Sequence, residues 1–389
     1  MAALQPDKVF VSCGESSGDF YAAALVEKLR RHWPDTEWFG SAGPRLRQAG
    51  VEALADMESL AVAGLVEVVS HLPRIHGEYR KLARAIESRR PDLIILTDSP
   101  DFHLRLARRV SKLGIPVIYM VAPQAWAWRK GRVKAMKRDL AALFCLFPFE
   151  EAFYREHGVP ATYIGHPLAR MAAASSSRGE FLARHGFRDD TPLVALCPGS
   201  RKGEVERHWG PLFDAVARIG GALSCQFALA SPVGFSRRYG ESFFRERIRG
   251  SSIQWIEGET WDVLAHSDIA LAASGTVTME AALLGTPLIT YYKVTGLSWL
   301  AGRFLVRVPF YSMVNLIAGR RLVHELMQNE MTGQRLAEEA VALLRNDGAR
   351  QTMRDEFLKL RKALESDEDP MERAARLVRE IFDESSHGS

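Results

Sequence analysis

Asp98 is the residue of this sequence whose type and setting most directly offer chemistry. It closes the apolar run Leu93–Thr97 in Thr97-Asp98-Ser99-Pro100-Asp101-Phe102. A carboxylate leaving the carboxyl end of a central strand projects toward bound ligand and can accept a hydroxyl proton as a general base. Unperturbed, it titrates near ~3.9 and is ionised at neutral pH. Helix capping is the alternative use of this segment: Ser99 serves as N-cap, Pro100 as first helical residue, and Asp101 favours the first turn. Ser99 then supplies the cap, and Asp98 stays free.

Two loops in the second half suit anions. Pro198-Gly199-Ser200-Arg201-Lys202-Gly203-Glu204 follows the apolar run Leu193–Leu196. Its amides, the Ser200 hydroxyl and the permanent charge of Arg201 suit a pyrophosphate. In Ala273-Ser274-Gly275-Thr276-Val277-Thr278-Met279-Glu280, a strand runs through a Ser-Gly-Thr turn into a helix. Free N–H groups and the positive end of the helix dipole then point at phosphate, and Glu280, about one turn in, faces ribose hydroxyls. Either loop alone reads equally as an ordinary capped turn; two in one half point to a nucleotide. In the first half, Gly14-Glu15-Ser16-Ser17-Gly18-Asp19 joins a strand to a helix. It suits an anion or a hydroxyl-rich ligand, or forms a plain turn capped by Ser17 or Asp19. No Gly-x-Gly-x-x-Gly follows any strand candidate, which weighs against a dinucleotide cofactor.

Ala122-Pro123-Gln124-Ala125-Trp126-Ala127-Trp128 leads into Arg129, Lys130, Arg132, Lys134, Lys137 and Arg138. Tryptophans beside such a run suit anionic headgroups or a phosphate; for the distal cations a solvated helix face is the simpler reading. Nucleic acid is disfavoured, because the aromatics do not interleave with the charges. The net charge of +4 likewise leaves any basic function local. Asp367-Glu368-Asp369, the sole D-x-D, lies in a charged stretch with no strand before it. No metal is expected, and leaving-group charge falls to Arg201 and the helix N-terminus.

Positioning these residues requires a particular framework. Lys8–Cys13, Leu93–Thr97, Val117–Val121, Leu143–Leu146, Thr162–Ile164, Leu193–Leu196, Phe227–Ala230, Ile269–Ala272 and Leu288–Tyr291 are strand candidates. Most are continuous apolar runs, as strands buried on both faces should be, and amphipathic stretches such as Asp19–Arg31 separate them. The pattern predicts an α/β protein with doubly wound parallel sheets. A chain of 389 residues exceeds one core, and Leu168–Glu180 is the best boundary. Two Rossmann-like domains facing a central cleft then carry ligands at the carboxyl ends of their strands. A second break at Asn346-Asp347-Gly348 precedes charged terminal helices. The domains are thus expected as 1–168 plus 348–385, and 169–347. No apolar run approaches the ~18 residues of a membrane span, and the N-terminus lacks a secretory leader pattern. Cys13, Cys145, Cys197 and Cys225 have no metal-type spacing and read as reduced core thiols.

Together the motifs resemble the lipid-A-disaccharide synthases, inverting UDP-sugar-dependent glycosyltransferases of GT-B fold. The matching stretches are GESSGD at Gly14, TDSPDF at Thr97, APQAWAW at Ala122, IGHPL at Ile164, PGSRKGE at Pro198, ASGTVTMEAALLGTP at Ala273 and MVNLIAGRRLVHELMQNEMT at Met313. The resemblance implies transfer of 2,3-diacylglucosamine from its UDP derivative to the 6-hydroxyl of 2,3-diacylglucosamine 1-phosphate. The products are the β-1,6 disaccharide 1-phosphate and UDP; no cofactor is implied. On that reading Asp98 is the base, and UDP lies on Arg201, Ser274, Gly275, Thr276 and Glu280. Asn315, Glu325 and Gln328 border the donor pocket. Gly14, Glu15, Ser16, Ser17, Asp19, Gln124 and Trp126 line the acceptor side. Acylated substrates imply a cytoplasmic enzyme attached peripherally to the inner membrane of a Gram-negative cell. Ala61–Val69 or Trp299–Arg307 would meet the lipid, and a homodimer exchanging C-terminal elements is implied as a possibility. The competing readings are a UDP-N-acetylglucosamine 2-epimerase-like enzyme, a dehydrogenase, and a peripheral lipid-binding scaffold.

Overall fold

A computed structural model describes residues 4–60, 65–126, 131–296, 299 and 308–387. The described residues within Met1–Pro167 and Ser366–Ser389 form one compact unit; those within Leu168–Leu300 and Val308–Glu365 form another. Ala61–Ala63, Trp128, Arg129, Lys130 and most of Trp299–Arg307, including parts of both proposed lipid-facing segments, lie outside the described residues.

In the first unit, β1 (Lys8–Ser12), β2 (Glu37–Ala42), β3 (Glu52–Asp56), β4 (Leu93–Thr97), β5 (Val117–Met120), β6 (Ala142–Cys145) and β7 (Ala161–Tyr163) form a seven-stranded parallel sheet. Its order is β3-β2-β1-β4-β5-β6-β7. The apolar runs supply the central strands, whose side chains are buried on both faces. β1 and β4 pair Ser12 with Leu96, so the segments leaving them at Gly14 and Asp98 emerge side by side. The order reverses at this junction, where open α/β sheets bind ligands.

The second unit repeats the plan with β8 (Leu193–Cys197), β9 (Gln226–Ser231), β10 (Ile253–Glu257), β11 (Ile269–Ala273), β12 (Leu288–Tyr292) and β13 (His324–Met327). The order is β10-β9-β8-β11-β12-β13, all parallel. Cys197 of β8 pairs with Ala272 of β11, so the Pro198–Glu204 and Ser274–Thr276 loops leave neighbouring strands at the reversal point.

Two boundaries differ from expectation. The first helix spans Ser16–Arg30, so Ser16 to Asp19 form its opening turns and only Gly14 and Glu15 remain as loop. The terminal helices also divide. Asp347–Leu364, N-capped by Asn346 through the Ala349 amide at 2.9 Å, belongs to the second unit. There Arg361 donates to the Leu283 carbonyl at 3.0 Å, and the Leu288 amide donates to Met353 sulfur at 3.4 Å. Only the segment from Ser366 returns to the first unit. Within it, helix Pro370–His387 sets Phe382 edge-on to Trp33 at 5.6 Å. Asp369, of the D-x-D run, accepts from the Met371 amide and pairs with Lys28 at 3.2 Å. It is a helix-start and ion-pair residue.

Candidate active site

Asp98 is not free. Its two carboxylate oxygens accept the Gly14 amide at 2.8 Å and the Glu15 amide at 3.1 Å, at the start of helix Ser16–Arg30. Ser17 and Asp19, the alternative caps of this helix, lie inside it and do not cap it. Gly18, within the helix, presses on the same carboxylate: a Cβ there would stand 1.6 Å from Oδ2. Asp98 and Ser99 both adopt left-handed backbone conformations, at φ 53° and 38°. Ser99 occupies the N-cap position of helix Pro100–Val110, but its hydroxyl does not cap; it hydrogen-bonds Asp98 instead. Burial pushes the Asp98 carboxyl well above the ordinary range. The nearby Glu15 carboxylate adds to the rise, while the two amides and Ser99 oppose it. A raised carboxyl suits general-base work nearer neutral pH than an unperturbed Asp does.

Asp19 turns away from this group. Its buried carboxylate accepts from the amides of Gly43, Arg45 and Leu46 at 3.0, 2.9 and 3.1 Å, opening helix Pro44–Gln48. It braces the chain leaving β2.

Ser16 and Ser17 lie half-buried in the helix's first turn, and Gln124 is exposed beyond β5. Trp126 donates its indole N–H to Glu150 at 3.2 Å and packs edge-on against Phe149 at 5.1 Å. Phe147 stacks on Phe149, and His166 tilts against Phe147 at 5.1 Å. An aromatic shelf, with Phe149 exposed, thus crowns the carboxyl ends of β5, β6 and β7. Its anchor is Glu150, which also accepts the Phe147 amide and which burial raises to about 8. Sequence reasoning missed Glu150 and Phe149, since PFEE reads as a simple helix start. Of the basic run, Arg132 pairs with Asp101 at 2.7 Å, while Lys134, Lys137 and Arg138 lie on the exposed face of helix Arg132–Asp139, as the simpler reading has it.

In the second unit, Arg201 stands at the N-cap of helix Lys202–Ala222 and pairs with Glu204 at 2.8 Å. The Tyr292 hydroxyl donates to the same Glu204 oxygen at 2.8 Å. His208, also missed from the sequence, joins two loops: Nδ1 donates to the Pro198 carbonyl at 2.7 Å, and Nε2 accepts the Lys293 amide at 3.1 Å. The carbonyl can only accept, which fixes the tautomer. Ser274 continues the ladder, its amide donating to Tyr291 O, and its hydroxyl reaches Tyr311 O at 3.4 Å. Gly275 then opens helix Thr276–Leu283 without a side-chain cap, and a Cβ on it would meet nothing within 4 Å. Thr276 is exposed, and Glu280 lies half-buried one turn on. An uncapped, accessible helix start suits a phosphate, and the loop leaving the neighbouring strand carries Arg201.

Asn315, Glu325 and Gln328, expected at the border of the donor pocket, hydrogen-bond to nearby backbone. Asn315 is fully buried and spends its amide on four contacts, with Leu322 N, Val323 N, Val323 O and Glu325. Glu325 accepts the Tyr311 and Ser312 amides. Gln328 exchanges two hydrogen bonds with the Val294 backbone at 3.0 and 2.8 Å. All three brace the chain between β12 and β13 or just past β13.

Several solved structures share this fold. The chain matches the UDP-GlcNAc 2-epimerase of Neisseria meningitidis with a TM-score of 0.63 at 12% identity, over 97% of this chain and 100% of that one. A Polygonum tinctorium UDP-glucosyltransferase gives 0.63 at 14%, over 98% and 100%. Two parallel-sheet α/β domains in this order define the GT-B class. Sequence narrows the class: the lipid-A-disaccharide synthetase profile matches residues 9–380. A lipid-A-disaccharide synthase of Solibacter usitatus is 55% identical over 97% of this chain and 98% of its own length. One of Myxococcus xanthus is 41% identical over 86% and 87%. The chain belongs to the lipid-A-disaccharide synthase family and is a glycosyltransferase of lipid A biosynthesis. Its likeness to the epimerases is one of fold.

Proposed function

We propose that the enzyme transfers 2,3-diacylglucosamine from its UDP derivative to the 6-hydroxyl of 2,3-diacylglucosamine 1-phosphate, with inversion. Asp98 takes the hydroxyl proton as that oxygen attacks the anomeric carbon. The bond to UDP breaks, and its electron pair leaves on the β-phosphate. The developing charge falls on Arg201 and on the helix start at Ser274, Gly275 and Thr276, with Glu280 at the ribose. Gly14, Glu15, Ser16, Ser17, Gln124 and Trp126 serve the acceptor, and the Phe149 shelf offers its acyl chains an apolar surface. Asp19, Asn315, Glu325 and Gln328 hold the loops that do the contacting.

One observation carries this reading. In each sheet, the segments with candidate chemistry leave the adjacent strands at which the strand order reverses. Incubation with both diacylglucosamine substrates should release UDP and form the disaccharide, whereas the UDP-sugar alone should yield neither. Conversion of the UDP-sugar without acceptor would contradict the proposal.

The same reading brings the enzyme to the anionic cytoplasmic face of the inner membrane, since both substrates are acylated. No helix among the described residues is long and apolar enough to cross a membrane; exposed Lys134, Lys137 and Arg138 suit anionic headgroups. A homodimer exchanging helix Pro370–His387 would repeat, between chains, the Trp33–Phe382 and Lys28–Asp369 contacts seen within this one. Vesicle flotation and sedimentation would test the two statements separately.

A further inference from the structure

A buried polar chain holds the main-chain carbonyl of Asp98. His103, the fourth residue of helix Pro100–Val110, is completely buried. Its Nδ1 stands 2.9 Å from the Asp98 main-chain carbonyl. A carbonyl only accepts, so Nδ1 carries the proton and Nε2 is the acceptor. The Ser12 hydroxyl, 2.8 Å from Nε2, therefore donates to it. Ser12 ends β1, two residues before Gly14. The buried Tyr119 hydroxyl, from β5, donates to the same Asp98 carbonyl. His103, itself held by Ser12 of β1, and Tyr119 of β5 thus converge on the carbonyl that follows β4.

That carbonyl belongs to the first of two successive left-handed residues, neither of them glycine. Such conformations persist only where the surroundings over-determine them. The two buried donors provide that constraint, and the Gly14 and Glu15 amides grip the same residue by its side chain. Burial keeps the His103 ring neutral, with a pKa of about 4, so one tautomer persists across the working range.

We propose that His103, seconded by Tyr119, is a positioning residue: by holding the Asp98 carbonyl it fixes the left-handed Asp98–Ser99 turn, and the Ser12 contact registers that turn against the Gly14 loop. This rests on the reading of Asp98 as base, and the test separates the two. His103→Leu fills the space without a donor; His103→Asn restores an N–H near the Nδ1 position; Tyr119→Phe removes only the hydroxyl. His103→Leu and Tyr119→Phe should each lower kcat about 10- to 100-fold while the KM for the UDP-sugar stays within about two-fold, because misplacing a reacting group by ~1 Å costs on that scale. His103→Asn should recover most of the loss. On an Asp98→Asn background, His103→Leu should produce no further fall.

Hydrogen exchange at the Gly14 and Glu15 amides reads the geometry without reference to catalysis. It should accelerate in His103→Leu and return toward the native rate in His103→Asn. Unchanged exchange in a folded His103→Leu protein would overturn the proposal, as would an equal fall in kcat with and without the Asp98 carboxylate. Should His103→Leu fail to fold, unchanged exchange and kcat in Tyr119→Phe would overturn it. If Asp98→Asn alone keeps the native kcat, the base reading fails, and the exchange result still decides the role of His103.

Discussion

Replacing Gly18 by alanine tests how tightly the proposed base, Asp98, is seated. The backbone there is ordinary helix, so alanine is permitted by conformation and favoured by propensity, by about 1 kcal/mol. Contact forbids it. The new Cβ would lie 1.6 Å from Asp98 Oδ2 and 2.6 Å from Cγ. Normal carbon contacts near 3.5 Å require the carboxylate to retreat by roughly 2 Å. Such a shift breaks the bonds to Gly14 and Glu15 at 2.8 and 3.1 Å. Hydrogen bonds to a charged group contribute about 1.5–3 kcal/mol each, and the helix gain offsets about 1. The net destabilisation expected is about 2–5 kcal/mol. Catalysis should suffer more, with kcat down by about 100-fold, since a 1 Å misplacement can have that effect. UDP release with both substrates measures kcat, and calorimetry measures UDP affinity, which should not change because the loops proposed to hold UDP belong to the other unit. Gly77→Ala is the control: a Cβ there meets nothing within 4 Å, and the variant should gain about 0.5–1 kcal/mol. A folded Gly18→Ala enzyme with native kcat would refute the claim that catalysis needs the carboxylate in this seat.

Arg201→Ala should weaken UDP binding by about ten-fold or more, as loss of a charged phosphate partner does; unchanged affinity by calorimetry would remove Arg201 from the donor site. Asn315→Ala should instead appear as instability of about 2–4 kcal/mol in thermal unfolding, because four buried backbone and carboxylate contacts are lost. A loss of UDP affinity at native stability would show direct contact. Glu150 titrates at about 8 in the folded protein, above its unfolded value near ~4.3. Its contribution to stability is therefore complete below about pH 4 and is lost as pH rises through 8. Glu150→Gln keeps the acceptor for Trp126 and should flatten that decline in pH-dependent unfolding followed by tryptophan fluorescence. An unaltered profile would show that another group titrates.

The central strands were legible because burial on both faces writes a continuous apolar run, as in Leu93–Thr97 and Leu193–Cys197. The strands that escaped notice are β2, β3, β10 and β13. β3, β10 and β13 lie at sheet edges, where half-exposed chains carry polar residues, as in Glu-Ala-Leu-Ala-Asp and His-Glu-Leu-Met. β2 contains Gly40, where a Cβ would lie 1.8 Å from the Val11 carbonyl. Packing demands that glycine, although it weakens the strand signal. The site showed the same division. Asp98 and the anion-suited loops were legible because they end strands that the apolar runs reveal. Asp19, Asn315, Glu325 and Gln328 have the types of ligand residues, and only their partners, distant in sequence, identify them as backbone braces. Ser99 had the right type and place for a cap, and the left-handed turn redirected its hydroxyl. His103 and Glu150 were overlooked because a polar residue inside a helix reads as solvent-facing until the neighbouring strands are placed.

Steady-state turnover of Asp98→Asn, assayed with UDP-2,3-diacylglucosamine and 2,3-diacylglucosamine 1-phosphate at saturation, tests the central claim most directly. The amide side chain preserves the shape of the carboxylate and cannot take the acceptor's proton. The account predicts a loss of kcat of about 100-fold or more, in the range expected for a positioned general base, with UDP affinity unchanged. A native kcat in the folded variant would contradict it.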